Sequence, residues 1–297
     1  MRSEGLGPRG IEPRPQALTP HPFPERFITM HNEIAQMFEL TGQVAFVVGG
    51  ARDLGFDAAC TLAGAGADVI ITSRTAASSE ASADKLREKY GVNVLPLAVD
   101  QTEFVQVAAV VEKAAAWKGR IDVLVNNAGG GSGKSAALLF ERDPADIDGL
   151  IQLNLNGMLY CCRQVGPVMA KRGRGKIINI ASIAGLVGRD RKMYERNDML
   201  GQPIDYAAAK AGVIGATLDL AAYMAPMGIF VNAISPGGFN RNLPDTFVCE
   251  YSNATAMGRM GRDGIDLNGA ILFLASAASD YVTGQNLVVD GGFTLWH

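Results

Sequence analysis

The segment VVGGARDLG, Val47 to Gly55, follows a short apolar run and leads into a pattern typical of a helix. A glycine-rich turn between a strand and a helix places backbone N–H groups where they can bind the phosphates of a nucleotide. Gly49 allows a tight turn, and Gly55 allows the helix to pack closely. Asp53 stands where such a loop commonly has another glycine. A turn that binds no ligand is therefore the alternative interpretation.

The overall composition indicates an ordinary globular protein. The chain has 297 residues, of which 48% are hydrophobic and 19% charged, so it can bury a substantial core. Its net charge of -3 provides no basic surface for nucleic acid, and no apolar run is long enough to cross a bilayer. The four cysteines have no Cys-x-x-Cys spacing and the three histidines form no cluster. We expect a cytoplasmic protein without a metal site that binds neither nucleic acid nor a membrane.

Residues 1–39 differ in kind from the rest of the chain. Six prolines punctuate positions 8 to 24, and the segment has little apolar periodicity. It lacks the apolar region of a secretory signal, and it contains Met30 and Met37, which leaves a later start of translation as an alternative. We expect a disordered or loosely attached tail, followed by one folded domain over residues 40–297.

Short β-branched runs recur from Thr41 onward, with helical patterns between them. The runs are apolar rather than alternating, as strands covered on both faces must be. The helix before the fourth run has Thr102 as its candidate N-cap and Gly119 as its end. The pattern predicts an α/β fold, a single doubly wound Rossmann-type domain with a seven-stranded parallel sheet. The predicted strands are VAFVV (44–48), DVIIT (68–72), VNVLPLAV (92–99), IDVLVN (121–126), KIINIA (176–181), GIFVNAI (228–234) and NLVV (286–289).

Six further motifs follow the glycine-rich segment in a fixed order. They are NNAG (126–129), NLNG (154–157), INIAS ending at Ser182, YAAAK (206–210), SPGG (235–238) and VDGG (289–292). Together they resemble the short-chain dehydrogenase/reductase family over nearly all of the chain after residue 40. Any one of these motifs is weak evidence, whereas their order along the chain is specific.

The resemblance implies a cofactor loop with two altered positions. The family pattern is Thr-Gly-x-x-x-Gly-[Ile/Leu]-Gly, and here Val48 replaces the threonine and Asp53 the middle glycine. Aspartate tolerates unusual backbone conformations, and backbone N–H groups bind phosphate whatever the side chain. We expect Asp53 to point away from the phosphates and the charge of Arg52 to offset its own. The implied cofactor-binding residues in this loop are Gly49, Arg52, Asp53, Leu54 and Gly55.

The end of the second strand predicts the choice of dinucleotide. Relatives that use NAD have an acid there that binds the ribose 2′-hydroxyl, whereas this chain has Ser73 followed by Arg74. Arginine pairs with a 2′-phosphate, which a carboxylate would repel. NADP is therefore favoured over NAD, with a solvated surface arginine as the alternative. Asp100 resembles the family's adenine contact, and Asn127 lies where the family meets the adenosine ribose.

Tyr206 and Lys210 carry the predicted chemistry, because a spacing of four residues places both side chains on one helix face. An adjacent ammonium is expected to lower the tyrosine pKa so that the phenol can exchange a proton with the substrate. By resemblance, Lys210 also holds the nicotinamide ribose, Ser182 binds the substrate oxygen, and Asn154 keeps a water in the proton relay. Taken alone, Tyr-x-x-x-Lys is more often an ordinary amphipathic helix surface, but Ser182 and Asn154 in matching contexts favour the catalytic interpretation.

Ser182 and Tyr206 are farther apart than in the family, which implies an insertion with the body GRDRKMYERNDMLGQPID. This segment must border the site. Its many charges suit a hydroxyl-rich or anionic substrate, although a solvated loop or a subunit contact explains them equally well. Arg241 stands where relatives commonly have a threonine near the nicotinamide carboxamide, so the backbone of Phe239 is the predicted cofactor contact there.

The predicted function is hydride transfer between NADP(H) or NAD(H) and a secondary alcohol or ketone. The motifs resemble the gluconate and sugar-acid branch, so a sugar, polyol or sugar acid is the favoured small-molecule substrate. A 3-oxoacyl thioester reductase is the alternative enzyme, and a non-catalytic dinucleotide sensor is a third interpretation. Relatives pair the helices that carry Asn154 and Tyr206, which predicts a homo-oligomer, namely a tetramer. The candidate apolar contacts, for which core packing is an equal interpretation, are Leu150, Leu153, Met158, Val165, Ala211, Ile214 and Leu218.

Overall fold

The computed structural model describes residues 30–131 and 137–296. The predicted tail therefore lies outside the described residues up to position 29. From Asn32 to Met37 the chain forms a short helix, none of whose residues is buried. Leu40 is fully buried and is the first residue of the core.

Strands and helices alternate along the described chain. The strands are β1 (Val44–Val48), β2 (Asp68–Ser73), β3 (Val94–Ala98), β4 (Val123–Asn126), β5 (Gly175–Ile180), β6 (Ile229–Pro236) and β7 (Asn286–Val289). The helices are α1 (Asn32–Met37), α2 (Asp53–Gly64), α3 (Ala76–Tyr90), α4 (Phe104–Lys118), α5 (Pro144–Ile151), α6 (Gly157–Ala170), α7 (Arg191–Glu195), α8 (Ile204–Met224), α9 (Asp245–Ala254) and α10 (Asn268–Ala275). A π-helical turn, Gln152–Asn156, joins α5 to α6.

The strands form one sheet in the order β3-β2-β1-β4-β5-β6-β7, and every neighbouring pair is parallel. The predicted doubly wound α/β fold with seven parallel strands is confirmed. All five residues of β1 are buried, as its uninterrupted apolar run predicts. The order reverses direction between β1 and β4, which is where such sheets open a crevice at the carboxyl ends of their strands.

The two faces of the sheet have separate cores. On β1, Phe46 packs into a cluster with residues of α4, α6 and α8, whereas its neighbour Val47 packs into a cluster with residues of α2, α3 and α10. Successive side chains of a strand point to opposite faces, so each buried strand contributes to both clusters. The two helix layers fix the carboxyl ends of the strands relative to one another.

The helix that follows β3 begins differently from the prediction. Gly119 ends α4 in the left-handed conformation, as expected. Thr102 does not cap it, because the residue before the helix is Glu103 and no side chain bonds there. Instead, the Asp100 carboxylate accepts hydrogen bonds from the backbone N–H and the hydroxyl of Thr102, at 3.0 and 2.7 Å. The turn after β3 is therefore held by the aspartate.

Candidate active site

A cleft of about 990 Å³ lies along the carboxyl ends of the parallel strands. Its lining runs from the loop after β1, past the ends of β2 and β5, to helix α8 and the chain that follows β6. Most of the residues predicted for the site meet in it: Gly49, Arg52, Asp53, Leu54, Ser73, Arg74, Asp100, Asn127, Ser182, Tyr206 and Lys210.

The glycines of the loop after β1 are required by close approach. Gly49 has φ +71, and a Cβ there would lie 2.6 Å from the Cα of Ala128. A Cβ on Gly55 would lie 2.1 Å from the Gly49 carbonyl oxygen. Gly55 therefore lets α2 pack against the loop, although it does not itself line the cleft. The Asn127 side-chain amide donates to the Gly49 carbonyl at 2.9 Å and fixes the loop to the end of β4.

Asp53 is the first residue of α2 and has φ +53, the left-handed conformation that glycine would adopt without strain. Its carboxylate lies 3.7 Å from the guanidinium of Arg52 and 3.8 Å from that of Arg241. Arg241 in turn donates hydrogen bonds to Asp263, at 2.9 Å from its Nη2. The acid in the cofactor loop thus has two arginines beside it, one of which comes from the chain after β6.

The end of β2 has no acidic side chain. The Ser73 hydroxyl donates to the Thr75 carbonyl at 2.6 Å and accepts from the Ser79 hydroxyl at 2.9 Å. These bonds hold the turn into α3. Arg74 is exposed and lines the cleft. Its guanidinium makes no ion pair with any described residue. The acids that form ion pairs in the described ranges all do so with other lysines or arginines.

Tyr206 and Lys210 lie one turn apart on α8, beside the end of β5. The Lys210 Nζ donates to the Ile180 carbonyl at 2.7 Å and lies 5.8 Å from the centre of the Tyr206 ring. The Ser182 side chain hydrogen bonds to Tyr206 and also accepts from the Ala184 N–H at 3.1 Å. The tertiary structure therefore brings serine, tyrosine and lysine together, as the motifs predicted.

Burial controls the charges of this group. It raises the pKa of Tyr206, against the opposing effects of the Ser182 hydrogen bond and the positive charge of Arg189. It lowers the pKa of Lys210 to about 8. The expectation that the Lys210 ammonium would lower the pKa of Tyr206 is wrong for the cofactor-free protein. Both groups are removed from water, which disfavours their charged forms, and the cation that acts on the phenol is an arginine.

Asn154 lies in the π-helical turn and is buried outside the cleft lining. Its Oδ1 accepts from the Gly130 N–H at 2.9 Å, and its Nδ2 donates to the carbonyls of Gly130 and Leu150 at 3.0 and 3.1 Å. A Cβ on Gly129 would lie 2.5 Å from the same Oδ1. Asn154 thus fixes the loop after β4 against the site, and its part in a water relay stays a prediction.

Phe239, predicted as a cofactor contact, lies outside the cleft lining and pairs with Gly261 in an isolated bridge. Arg241, two residues later, does line the cleft. The contact of the Phe239 backbone with a cofactor stays a prediction.

The insertion contributes a residue that the sequence did not single out. The Arg189 guanidinium lies over the Tyr206 ring, with its central carbon 5.6 Å from the ring centre. Met193 of α7 packs with Phe247, Tyr251 and Met260 in a third apolar cluster, which holds the insertion against α9. The only signals in the sequence were the charge of Arg189 and its place in a segment that had to border the site.

Among the described residues, no helix is long and apolar enough to cross a membrane. In the same parts of the chain, no group of three or more potential ligands is arranged to hold a metal ion.

The crevice and the Ser182, Tyr206 and Lys210 cluster at its end define a dinucleotide-dependent oxidoreductase. The sequence model of the family described as enoyl-(acyl carrier protein) reductase matches residues 49–294. This chain belongs to that family and, with it, to the short-chain dehydrogenases/reductases, which act on alcohol and ketone groups.

Three similar proteins each align with more than four fifths of this chain. An NADP-dependent mannitol dehydrogenase of Hypocrea jecorina is 34% identical over 271 residues, 89% of this chain and 96% of that protein. A 3-oxoacyl-[acyl-carrier-protein] reductase of Thermotoga maritima is 36% identical over 262 residues, 86% of this chain and 99% of that protein. The crystal structure of a gluconate 5-dehydrogenase from Burkholderia cenocepacia, in complex with NADP and tartrate, superposes with a TM-score of 0.80 at 34% identity. It covers 89% of this chain and 100% of that one.

Proposed function

We propose that this protein transfers a hydride between NADP(H) and a secondary alcohol or ketone on a hydroxyl-rich substrate, a sugar, polyol or sugar acid. The observation that carries the proposal is the composition of one cleft. Arg74, which follows the end of β2 where no acidic side chain is present, lines the same cleft as the catalytic group of Ser182, Tyr206 and Lys210. The relatives that are an NADP-dependent mannitol dehydrogenase and a gluconate 5-dehydrogenase support both parts of the proposal.

The residues of the cleft fit a dinucleotide. Arg52 precedes α2 and provides no side-chain cap, so the first N–H groups of that helix have no side-chain acceptor. A pyrophosphate is well suited to such a helix start, because the N–H groups and the helix dipole both favour an anion. Gly49 and Gly55 keep side chains out of the turn. Arg74, at the far end, can pair with a 2′-phosphate.

The side chains at the other end of the cleft perform the proton chemistry. Bound NADP(H) would supply or accept the hydride at the substrate carbon. The neutral Tyr206 phenol, whose pKa burial raises, donates a proton to the carbonyl oxygen in the reductive direction. The Ser182 hydroxyl hydrogen bonds to the same oxygen and to Tyr206. Lys210 is fixed by the Ile180 carbonyl, and its remaining N–H groups would hold the nicotinamide ribose of a bound cofactor.

A 3-oxoacyl thioester reductase is the second candidate, because relatives with that activity match the chain over a similar length. The two functions share the catalytic group and differ in the substrate beside Tyr206. The charged insertion favours a polar substrate over an acyl chain, since burying an acyl chain against unpaired guanidinium groups would cost desolvation without a compensating contact.

We also propose that the protein is a homotetramer in the cytoplasm. The buried positions of Leu150, Met158 and Val165 show that these side chains serve the core of the protomer, so they are not contacts between subunits. On α8, Leu218 is 57% exposed and Tyr223 is 64% exposed. Leu218 lies two turns after the exposed Ala211 and forms an apolar face with it on the helix that carries Tyr206 and Lys210, whereas Tyr223 points to another side of that helix.

Steady-state turnover with matched cofactors and substrates tests the proposed function. NADPH and NADH are compared on ketoses, NADP+ and NAD+ on polyols and sugar acids, and both reduced cofactors on a 3-oxoacyl thioester. We expect turnover of a hydroxyl-rich substrate with NADP(H) and its loss in Tyr206→Phe, with cofactor binding retained. Turnover of the thioester alone would replace the proposed substrate class, and a strong preference for NADH would overturn the cofactor assignment.

A further inference from the structure

Two arginines of the insertion converge beside the catalytic tyrosine. Arg189 lies over the Tyr206 ring at 5.6 Å, and its Nη1 donates to the Gln202 carbonyl at 2.7 Å. Arg191 donates to the same carbonyl oxygen at 2.9 Å. The shared acceptor brings two positive charges together, and one of them, that of Arg189, lies over the ring of the group that exchanges a proton with the substrate.

Neither arginine has an acidic partner among the described residues. No carboxylate in the described ranges lies within ion-pair distance of Arg189 or Arg191. Asp190, between them in sequence, accepts from the Lys192 N–H at 2.9 Å and lies 3.5 Å from Arg196. The one acid nearest in sequence is therefore directed elsewhere.

The lack of an acidic partner is specific to Arg189 and Arg191. Other arginines of the same side of the molecule are paired: Arg196 with Glu250, Arg241 with Asp263, and Arg259 with Asp266. Buried charges in proteins are as a rule paired, because removing an ion from water is costly. Arg189 is half-buried and has no acidic partner among the described residues.

The removal of the unpaired guanidinium from water changes the pKa of Arg189. Burial, together with the like charge of Arg191, lowers the pKa of its guanidinium. An arginine keeps its proton under all ordinary conditions, so the charge persists as an uncompensated cation. An anion bound beside Tyr206 would offset that cost and accept the N–H groups that Gln202 leaves unused, in the fork geometry that carboxylates match.

We propose that Arg189 and Arg191 bind a carboxylate of the substrate, so that the alcohol oxidised at Tyr206 belongs to a hydroxy acid of the sugar-acid class. This inference rests on the proposed function and narrows its substrate from three classes to one. The guanidinium groups hold the carboxylate, and the phenol acts on an alcohol carbon farther along the same molecule.

The test uses two ligands that differ at one carbon. D-gluconate has a carboxylate where D-glucitol has a hydroxymethyl group, and the rest of the chain is the same. Binding of each is measured by calorimetry to the full-length protein saturated with NADPH. The variants are Arg189→Gln and Arg191→Gln, and the control is Arg196→Gln, since Arg196 already pairs with Glu250 and Asp190.

We expect the unmodified protein to bind D-gluconate about ten- to hundredfold more tightly than D-glucitol, the range of one charge-assisted hydrogen bond. Arg189→Gln and Arg191→Gln should each remove most of that preference while leaving D-glucitol binding unchanged, and Arg196→Gln should preserve it. Equal binding of the two ligands, or a preference that survives both substitutions, overturns the carboxylate subsite and leaves the proposed function standing. Binding of neither ligand overturns the proposed substrate class and the subsite with it.

Discussion

The Asp53 carboxylate, at the start of α2, lies 3.8 Å from the guanidinium of Arg241, which belongs to the chain after β6. The acid that departs from the family's glycine pattern thus has a partner from a distant segment. Its charge still lies beside the helix start that is suited to a pyrophosphate.

We expect Asp53→Asn to lower the KM for NADPH and NADH alike by about fivefold, because about 1 kcal/mol of repulsion is removed from a group that both cofactors share. Asparagine keeps the left-handed backbone, so the loop should be undisturbed. Initial rates at low and high salt check this, since the difference should shrink as salt screens the charge. An unchanged or higher KM would show that Asp53 favours cofactor binding.

Arg74→Ala should raise the KM for NADPH and leave that for NADH almost unchanged, because only NADPH has the 2′-phosphate. A charge-assisted bond contributes about 1.5 to 3 kcal/mol, which corresponds to about a ten- to hundredfold change. Arg172→Ala is the matched control. This exposed arginine precedes β5 and so lies at the amino ends of the parallel strands, away from the cleft at their carboxyl ends. An equal effect of Arg74→Ala on both cofactors would exclude a 2′-phosphate contact.

The stability of the cofactor-free protein should rise with pH above the folded-state pKa of Lys210. Burial lowers that pKa from 10.5 to about 8, so folding releases a proton between these values. The unfolded chain then binds more protons than the folded chain, and the free energy of unfolding increases with pH by up to about 3 kcal/mol. Below the folded-state pKa this contribution is constant. Urea unfolding across this range should show a smaller rise for Lys210→Met, and identical pH dependences would contradict the assignment.

Asp205, the residue before Tyr206 in α8, forms a buried ion pair with Arg142. Arg142 donates from Nε and Nη2 to one oxygen of Asp205, at 2.9 and 2.8 Å. Asp205→Asn should lower the free energy of unfolding by about 3 to 5 kcal/mol, because it removes the negative charge that accepts two hydrogen bonds from a buried guanidinium. Glu80→Gln, which removes an exposed partner of Arg87, should cost less than about 1 kcal/mol. Denaturant unfolding curves that shift equally would contradict this difference.

The proposed tetramer predicts that one substitution on the surface of α8 separates the subunits. Leu218→Glu places a charge on the exposed apolar face of α8, so sedimentation should show smaller species with an unchanged circular dichroism spectrum. Val105→Glu is the control, because Val105 is 78% exposed on α4. A protein that is monomeric before any substitution would overturn the proposal.

The sequence determined the fold of this protein. The uninterrupted apolar run 44–48 coincides with β1, all of whose residues are buried, because a strand covered on both faces needs apolar residues throughout. The spacing of Tyr206 and Lys210 required a common helix face, and the structure has both on α8. These are local relations, and each depends on residues that are neighbours along the chain.

Only the tertiary structure decided which charged groups meet at the site and how far each is removed from water. Arg189 lies over Tyr206, Arg241 beside Asp53, and Asn154 against Gly130, although no local pattern marks these partners. The pKa of Tyr206 was misjudged from the sequence for the same reason. A neighbouring ammonium is visible in the sequence, whereas desolvation depends on how completely other segments cover the phenol, which the packing of the folded chain alone sets.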